Sequence, residues 1–167
     1  MTEKADQPPK FGSAATIDDA VFLGRTVERL SILIAEQSKE VFDDNGIVIP
    51  VRSCSLMIVI SKLGTASAAD IARELGRSHQ LVMQKIPKLV KLGLIIQYPD
   101  EQDARRKLFK VTDLGAKQLM RFEQCRDRLR AAYEGLFAEV GDLKKMVEQT
   151  AEALNRKPLD RRVLDMK

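Results

Sequence analysis

The stretch from Ser67 to Gly93, SAADIARELGRSHQLVMQKIPKLVKLG, decides the fold. It contains two helical patterns, each of which begins after a serine and ends at a glycine. A serine hydroxyl accepts a hydrogen bond from an unpaired amide at a helix start, and glycine tolerates the left-handed backbone that ends a helix. The stretch therefore predicts a short helix, Ala68–Leu75, and a second helix, His79–Leu92, separated by a tight turn.

The segments on either side extend this pair into a larger unit. Pro50 opens an apolar segment to residue 63, which predicts a buried helix. After Gly93, Leu94–Tyr98 and Lys107–Val111 read as two strands joined by a charged loop. Helix, short helix, helix and β-hairpin in this order predict a winged helix-turn-helix, with the hairpin as the wing.

The chain of 167 residues predicts a mainly α protein, in which this core and its two-stranded wing are flanked by long terminal helices. Those helices carry more apolar surface than one small winged helix covers, so we expect them to pair across a two-fold axis. The predicted ranges are 1–15 as a disordered N-terminal tail, 16–48 as an N-terminal dimerisation helix, 49–112 as a winged helix-turn-helix DNA-binding region, 113–160 as C-terminal dimerisation helices and 161–167 as a frayed basic tail.

Positive charge is concentrated in one part of the chain. Residues 77–110 contain eight Lys or Arg and three acids, whereas residues 16–76 contain six bases and nine acids. The whole chain carries a net charge of only +4. A local basic patch is typical of a surface that binds a polyanion such as DNA. The structural alternative is a solvated charged face with no partner.

Two groups of side chains are candidates for DNA contacts. A helix fits the major groove, where glutamine pairs well with adenine, and lysines neutralise phosphates. Arginines in a wing reach the backbone or a narrow minor groove, and an aspartate there can accept hydrogen bonds from turn amides. The candidates on the second helix of the pair are Ser78, His79, Gln80, Gln84, Lys85 and Lys88; those in the wing are Asp103, Arg105, Arg106 and Lys107.

Residues from about 51 to 121 resemble the MarR family of winged-helix regulators. The resemblance is carried by the Ala72-x-x-Leu75-Gly76 turn, the Leu89-x-x-x-Gly93-Leu94 end of the second helix, Asp103-x-Arg105 in the wing and Val111-Thr112-x-x-Gly115 after it. It implies a homodimer that binds a pseudo-palindromic operator, usually as a repressor. It also implies release by a small aromatic or phenolic effector, bound between the terminal helices and the winged helix, near Arg52 or Ser53.

Three positions depart from the family pattern. Pro87 lies inside the second helix of the pair, where it removes a backbone hydrogen bond and predicts a kink. Gln97-Tyr98 stands before the wing loop, where the family often has a basic residue. Ala104 occupies the position of a common second wing arginine, and we expect Arg106 to substitute for it.

The sequence lacks the patterns of most enzymes. A single histidine, and the absence of a phosphate-binding loop, nucleophile elbow or zinc spacing, predict no catalytic residues, no metal and no cofactor. No segment approaches a membrane span or a signal peptide, which predicts a cytoplasmic protein without a membrane partner.

Two alternatives to a ligand-controlled regulator remain open at this point. The winged helix could be a protein-interaction module that does not read DNA. A thiol-based redox-sensing regulator is the other, because four arginines flank Cys125, although a redox thiol must be exposed with a low pKa. For Cys54, within the buried helix, a packed thiol is the default interpretation.

Overall fold

The structure, a computed structural model, describes residues 19–103 and 105–166. The predicted tail, 1–15, and the predicted helix start at Thr16 lie outside these residues. The helices are α1 (Leu23–Asp44), α2 (Cys54–Leu63), α3 (Ala68–Leu75), α4 (His79–Lys91), α5 (Asp113–Val140), α6 (Leu143–Arg156) and α7 (Leu159–Leu164). The strands are β1 (Ala66–Ser67), β2 (Ile95–Pro99) and β3 (Lys107–Val111). The predicted mainly α, winged helix-turn-helix fold is confirmed.

The chain divides into two compact units, with the boundary after Leu119. The first unit contains the winged helix and has a continuous apolar core from α2, α3, α4 and the sheet. Its most completely buried side chains, each no more than 2% exposed, are Ile49, Leu56, Met57, Ile60, Ile71, Val82, Ile86, Leu89, Leu94, Ile95 and Phe109. Burial of this many large side chains is the main favourable contribution to the stability of a small domain.

The sheet has three strands rather than the predicted two. The order is β1-β3-β2, and all neighbours are antiparallel. In β1, Ala66 pairs with Phe109 and Ser67 with Leu108. A two-residue strand is too short to show an alternating pattern, so only the tertiary fold reveals it.

The start of α3 has the capping box that its sequence predicts. Ser67 Oγ accepts a hydrogen bond from the Asp70 amide at 3.2 Å, and Asp70 Oδ2 accepts one from the Ser67 amide at 3.1 Å. Gly76 ends α3 with φ of +58°. This backbone conformation is the one that glycine adopts at lowest cost. The tight α3–α4 turn therefore follows from local sequence.

The junction between the wing and α5 leaves no space for a side chain at Gly115. A Cβ atom there would lie 2.1 Å from the Leu94 carbonyl oxygen. Thr112 Oγ1 donates to the Gly93 carbonyl at 2.6 Å and accepts from the Gly115 amide at 3.0 Å. Thr112 and Gly115, two of the residues that carry the family resemblance, thus join the end of α4 to the start of α5.

Two helical segments bear on the predictions for the C-terminus and for Pro87. α7 occupies Leu159–Leu164, where fraying was predicted, and it begins directly after Pro158, whose ring fixes a φ compatible with a helix start. α4 continues through Pro87, which is exposed, and the predicted kink stays a prediction.

The second unit, from Met120 to residue 166, contains most of α5 together with α6 and α7. Cys125 is the one buried residue among its described residues. Its large exposed apolar side chains are Met120, Leu136, Val140, Met146, Val147, Leu154, Leu159, Val163, Leu164 and Met166. In the described part of the chain, no helix combines the length and apolar character needed to cross a membrane.

Candidate nucleic-acid interface

One side of α4 is buried and the opposite side faces solvent. Val82, Ile86 and Leu89 are each no more than 2% exposed. Gln80 and Gln84 are exposed and, at four-residue spacing, lie together on the side opposite this apolar stripe. The two amide side chains that the sequence analysis assigned to base contacts therefore share the outer face of α4.

The first residues of α4 combine a capping function with exposure. Ser78 Oγ accepts a hydrogen bond from the Leu81 amide at 3.3 Å, as a helix cap does. His79 is exposed beside it. The amides of a helix N-terminus also attract phosphate, so this end of α4 suits a nucleic-acid backbone.

The two predicted lysine contacts of α4 differ in their surroundings. Lys88 is exposed, whereas Lys85 is partly buried and its ammonium donates to the Arg52 carbonyl oxygen. Burial lowers the pKa of Lys85, and the positive charges of Arg77 and Arg52 lower it further. Lys85 thus belongs to a cluster of three cations. The sequence analysis counts Arg77 in the basic segment but does not include it among the DNA-contact candidates, because it lies in the turn between α3 and α4.

The wing loop is held by hydrogen bonds from its own carboxylates. Asp103 Oδ1 accepts from the Arg105 amide at 2.9 Å, and Asp100 Oδ1 accepts from the Gln102 amide at 3.0 Å. The Arg106 amide donates to the Asp103 carbonyl oxygen at 2.8 Å. Asp103 therefore accepts a turn amide, as the sequence analysis expects.

An open pocket lies between the wing and the α3–α4 pair, with a volume of about 340 Å³. His79 and Met83 line it from α4, and the residues that line it from the wing loop and the start of β3 are Asp103, Arg105, Arg106 and Lys107. The pocket therefore brings together the four predicted wing residues and His79 of α4, which is half of the predicted contact residues; Gln80 and Gln84 do not line it.

Arg106 differs from its predicted position at the tip of the wing. Its Nη2 atom lies 2.7 Å from Asp70 Oδ2 and 3.1 Å from Ser67 Oγ. Its Nε atom lies 3.7 Å from Asp100 Oδ2. The guanidinium therefore lies between the wing loop and the start of α3. The sequence indicates the position of Asp70, which is the N3 residue of a capping box that begins at Ser67. It does not indicate that Asp70 pairs with Arg106, 36 positions away.

Asp70 is strongly stabilised in its charged form. Hydrogen bonds from the Ser67 hydroxyl and amide, opposed by partial burial and reinforced by Arg106 and Arg73, lower its pKa to about 2. A carboxylate that accepts several hydrogen bonds stays ionised well below neutral pH. The Asp70–Arg106 pair is therefore intact throughout the physiological range.

The effector site near Arg52 or Ser53 stays a prediction. Arg52 is exposed and Ser53 is 5% exposed, and neither lines the pocket beside the wing. No group of three His, Cys, Asp or Glu among residues 19–103 and 105–166 is arranged to hold a metal ion.

The redox alternative finds no support in the environment of Cys125. The thiol is 1% exposed, and burial raises its pKa although the charge of Arg128 acts in the opposite direction. A redox-sensing thiol needs exposure and a lowered pKa. Cys54 is also buried, in agreement with its interpretation as a packed thiol.

Comparison with known proteins confirms the family resemblance for the winged-helix segment: the sequence model of the MarR family matches residues 49–106. No curated protein matches the chain in sequence. The matching family consists of transcriptional regulators, which confirms the prediction of a non-enzymatic protein.

Solved structures show the same fold. The reduced AbfR bound to DNA aligns with a TM-score of 0.60 and 20% identity over 81% of this chain and 93% of that chain. The MepR–DNA complex from S. aureus gives 0.56 and 22% over 83% and 96%. A cysteine-substituted MarR from E. coli with operator DNA gives 0.52 and 17% over 84% and 99%. At these identities the likeness establishes the fold.

Proposed function

We propose that this chain, whose residues 49–106 belong to the MarR family, is a transcriptional regulator that binds double-stranded DNA through α4 and the wing. Three solved structures with its fold are complexes with DNA, which supports the same partner here. The basic segment from Arg77 to Lys110 supplies the charge that a phosphate backbone requires.

The observation that carries the proposal is the outer face of α4. Gln80 and Gln84 are exposed there, opposite the buried Val82, Ile86 and Leu89. His79 of the same helix is also exposed and lines the pocket beside the wing together with Arg105. In the major groove, glutamine amides distinguish base pairs, while an arginine in the wing neutralises phosphate without reading sequence.

The proposed binding form is a homodimer on a pseudo-palindromic operator. The N-terminal helix and the C-terminal helices each expose apolar side chains that a homodimer could cover. α1 exposes Leu23, Val27 and Ile32, and the second unit exposes a larger apolar set. A second copy is the simplest cover for such faces, because symmetric dimers are the commonest oligomers. Two copies of α4 would then occupy half-sites about 34 Å apart.

We further propose that the dimer represses transcription and that a small aromatic or phenolic effector releases it. Both follow from the family resemblance, and nothing in the chemistry of the described residues selects one compound. A screen for compounds that dissociate the protein–DNA complex tests the effector. A reporter gene placed behind the operator, with and without the protein, tests repression.

The primary experiment is selection of bound duplexes from random DNA, followed by shift assays with the selected duplex at two salt concentrations. We expect an inverted repeat and an affinity that falls steeply with salt, with a logarithmic slope of about −0.9 for each neutralised phosphate. Failure to enrich any duplex would contradict DNA recognition and favour the protein-interaction alternative.

A further inference from the structure

We propose that Arg106 positions the wing instead of contacting DNA, by joining the wing loop to the start of α3 through Asp70. We call Asp70, Ser67 and Arg106 the wing latch. This inference deepens the proposed function and rests on it, because it assigns a role within the same DNA-binding surface. It also separates two adjacent arginines that the sequence presents as equivalent.

The geometry of the guanidinium carries the first step. It binds Asp70 Oδ2 at 2.7 Å and Ser67 Oγ at 3.1 Å on one side, and Asp100 Oδ2 lies 3.7 Å from Nε on the other. Asp70 belongs to α3, whereas Asp100 belongs to the wing loop. Arg106 is 46% exposed, so a phosphate would have to compete for it with two carboxylates, whose charges already compensate its own.

Groups other than Arg106 also hold the Asp70 carboxylate in place. The Ser67 hydroxyl donates to Asp70 Oδ2 at 2.6 Å, and the Ser67 amide donates to the same oxygen at 3.1 Å. Arg73 binds the other oxygen, Oδ1, at 2.6 Å. Because the capping box holds the carboxylate rigidly, an arginine bound to it inherits a defined position relative to α3.

The latch adds a side-chain connection to those that the sheet provides. β1, a strand of two residues that pair with Phe109 and Leu108, joins the wing to the start of α3. Phe109 is also fully buried in the core, so β3 is anchored there independently of the latch. Arg106 adds a side-chain connection just beyond the loop end of β3, at the base of the wing.

Arg105 has the complementary arrangement. Its backbone amide is bound by Asp103, and its exposed side chain lines the pocket that faces α4. The ion pairs found among the described residues do not include Arg105. Both side chains are exposed and line this pocket, but two carboxylates compensate the charge of Arg106, whereas no ion pair found among the described residues compensates that of Arg105.

The decisive test is the sign of the change in DNA affinity for Asp70→Asn. Asparagine can still accept a hydrogen bond at the helix start, and the substitution removes one negative charge close to the DNA surface. If Arg106 bound phosphate directly, loss of its competitor would raise affinity for DNA. A positioning role predicts the opposite, a loss of roughly 3- to 10-fold, because the wing is no longer held.

Three further variants complete the design. Arg106→Gln should weaken DNA binding to a similar extent, and the double variant with Asp70→Asn should bind no more weakly than the weaker single variant, since both remove one interaction. Arg73→Gln is the matched control, because Arg73 binds the same carboxylate without touching the wing; it should retain wild-type affinity.

Arg105→Gln tests the neighbouring arginine. It should reduce the logarithmic dependence of DNA affinity on salt concentration by about 0.9, the value for one neutralised phosphate.

Hydrogen exchange of the wing amides provides a readout that does not depend on DNA. Exchange in the loop 100–106 should accelerate in Asp70→Asn and in Arg106→Gln, but not in Arg73→Gln or Arg105→Gln. Unchanged exchange in the first two variants, or a gain of DNA affinity in Asp70→Asn, would overturn the latch. If the wild-type protein failed to bind any duplex, the proposed function would fall while the exchange experiment still decided the latch.

Discussion

The two units of this protein use apolar residues in opposite ways. In the first unit, up to Leu119, the winged helix has a buried core in which Ile60, Ile71 and Phe109 are fully inaccessible to solvent. The unit from Met120 onward leaves Val140, Met146 and Val163 about 60% exposed. Both have helical sequences with similar apolar spacing. The difference teaches that amphipathic spacing predicts a helix but does not reveal whether its apolar face is covered within one chain.

The contrast has an energetic meaning. Burial of apolar surface contributes about 25 cal/mol for each Å², so a unit with its own core gains this energy as a monomer. A unit whose apolar side chains are exposed gains it only when something covers them. Stability should therefore be independent of protein concentration in the winged helix, and dependent on it in the second unit and in α1, which also exposes apolar side chains.

The largest effect is expected from a cavity in the winged-helix core. Ile60→Ala should lower the free energy of unfolding by about 2–5 kcal/mol, because Ile60 is fully buried. Chemical denaturation at two protein concentrations measures the change, which should be equal at both. Ile58→Ala is the control, since Ile58 lies on the same helix but is 41% exposed. Equal losses for the two variants would contradict the core described here.

The second effect tests the exposed face of α6. Val147→Asp should raise the dissociation constant of the homodimer by roughly 100-fold or more, because an unpaired charge would be buried at the interface. Sedimentation measures the change. Gln149→Asp introduces the same charge on another side of α6 and should leave the dimer intact. A monomeric wild-type protein, or equal effects of the two variants, would exclude α6 from the interface.

A smaller effect is expected within the outer face of α4. Gln80→Ala should relax discrimination at one base pair by about 1–3 kcal/mol while leaving binding to random DNA nearly unchanged. Lys88→Ala should instead weaken binding to every duplex, because a phosphate contact carries no sequence information. Affinities for the selected operator and its single-base variants measure both. Equal losses of Gln80→Ala on cognate and random DNA would remove its assignment as a reader.

The smallest effect concerns acid stability. The pKa of Asp70 is lowered to about 2 from an ordinary value of 3.8, so its contribution is complete above pH 4 and is lost as the pH falls towards 2. Between pH 5 and pH 2.5, Asp70→Asn should therefore lose less stability than the wild type, by about 1 kcal/mol after solvent screening. Chemical denaturation at the two pH values measures both losses. An equal loss of unfolding free energy in the wild type and in Asp70→Asn would show that Asp70 does not contribute.

Most of the fold could be predicted from local signals. The serine and glycine boundaries of α3 and α4, the Lys107–Val111 strand and the start of α5 at Asp113 all agree with the structure. Each depends on a capping or strand preference that operates within a few residues. The elements that the sequence analysis missed, β1 and α7, are too short to produce a periodic pattern.

The candidate site was predicted less completely. Gln80, Gln84 and Arg105 are exposed as expected, but Arg106 binds Asp70, and Lys85 donates to the Arg52 carbonyl. Charge and residue type identify a basic surface without distinguishing a cation that faces solvent from one that a distant group has captured. That distinction depends on contacts between residues more than 30 positions apart.

The sequence by itself determined the order of α1 to α6, the boundaries of α3 and the start of α4, and the excess of positive charge between Arg77 and Lys110. Capping, periodicity and composition determine these features because they act over one or two helical turns. The tertiary structure alone decided that Arg105 presents its charge while Arg106 is held by Asp70, and that the close approach of Leu94 excludes any side chain at Gly115. Such pairings arise only when distant parts of the chain meet, so no local preference encodes them.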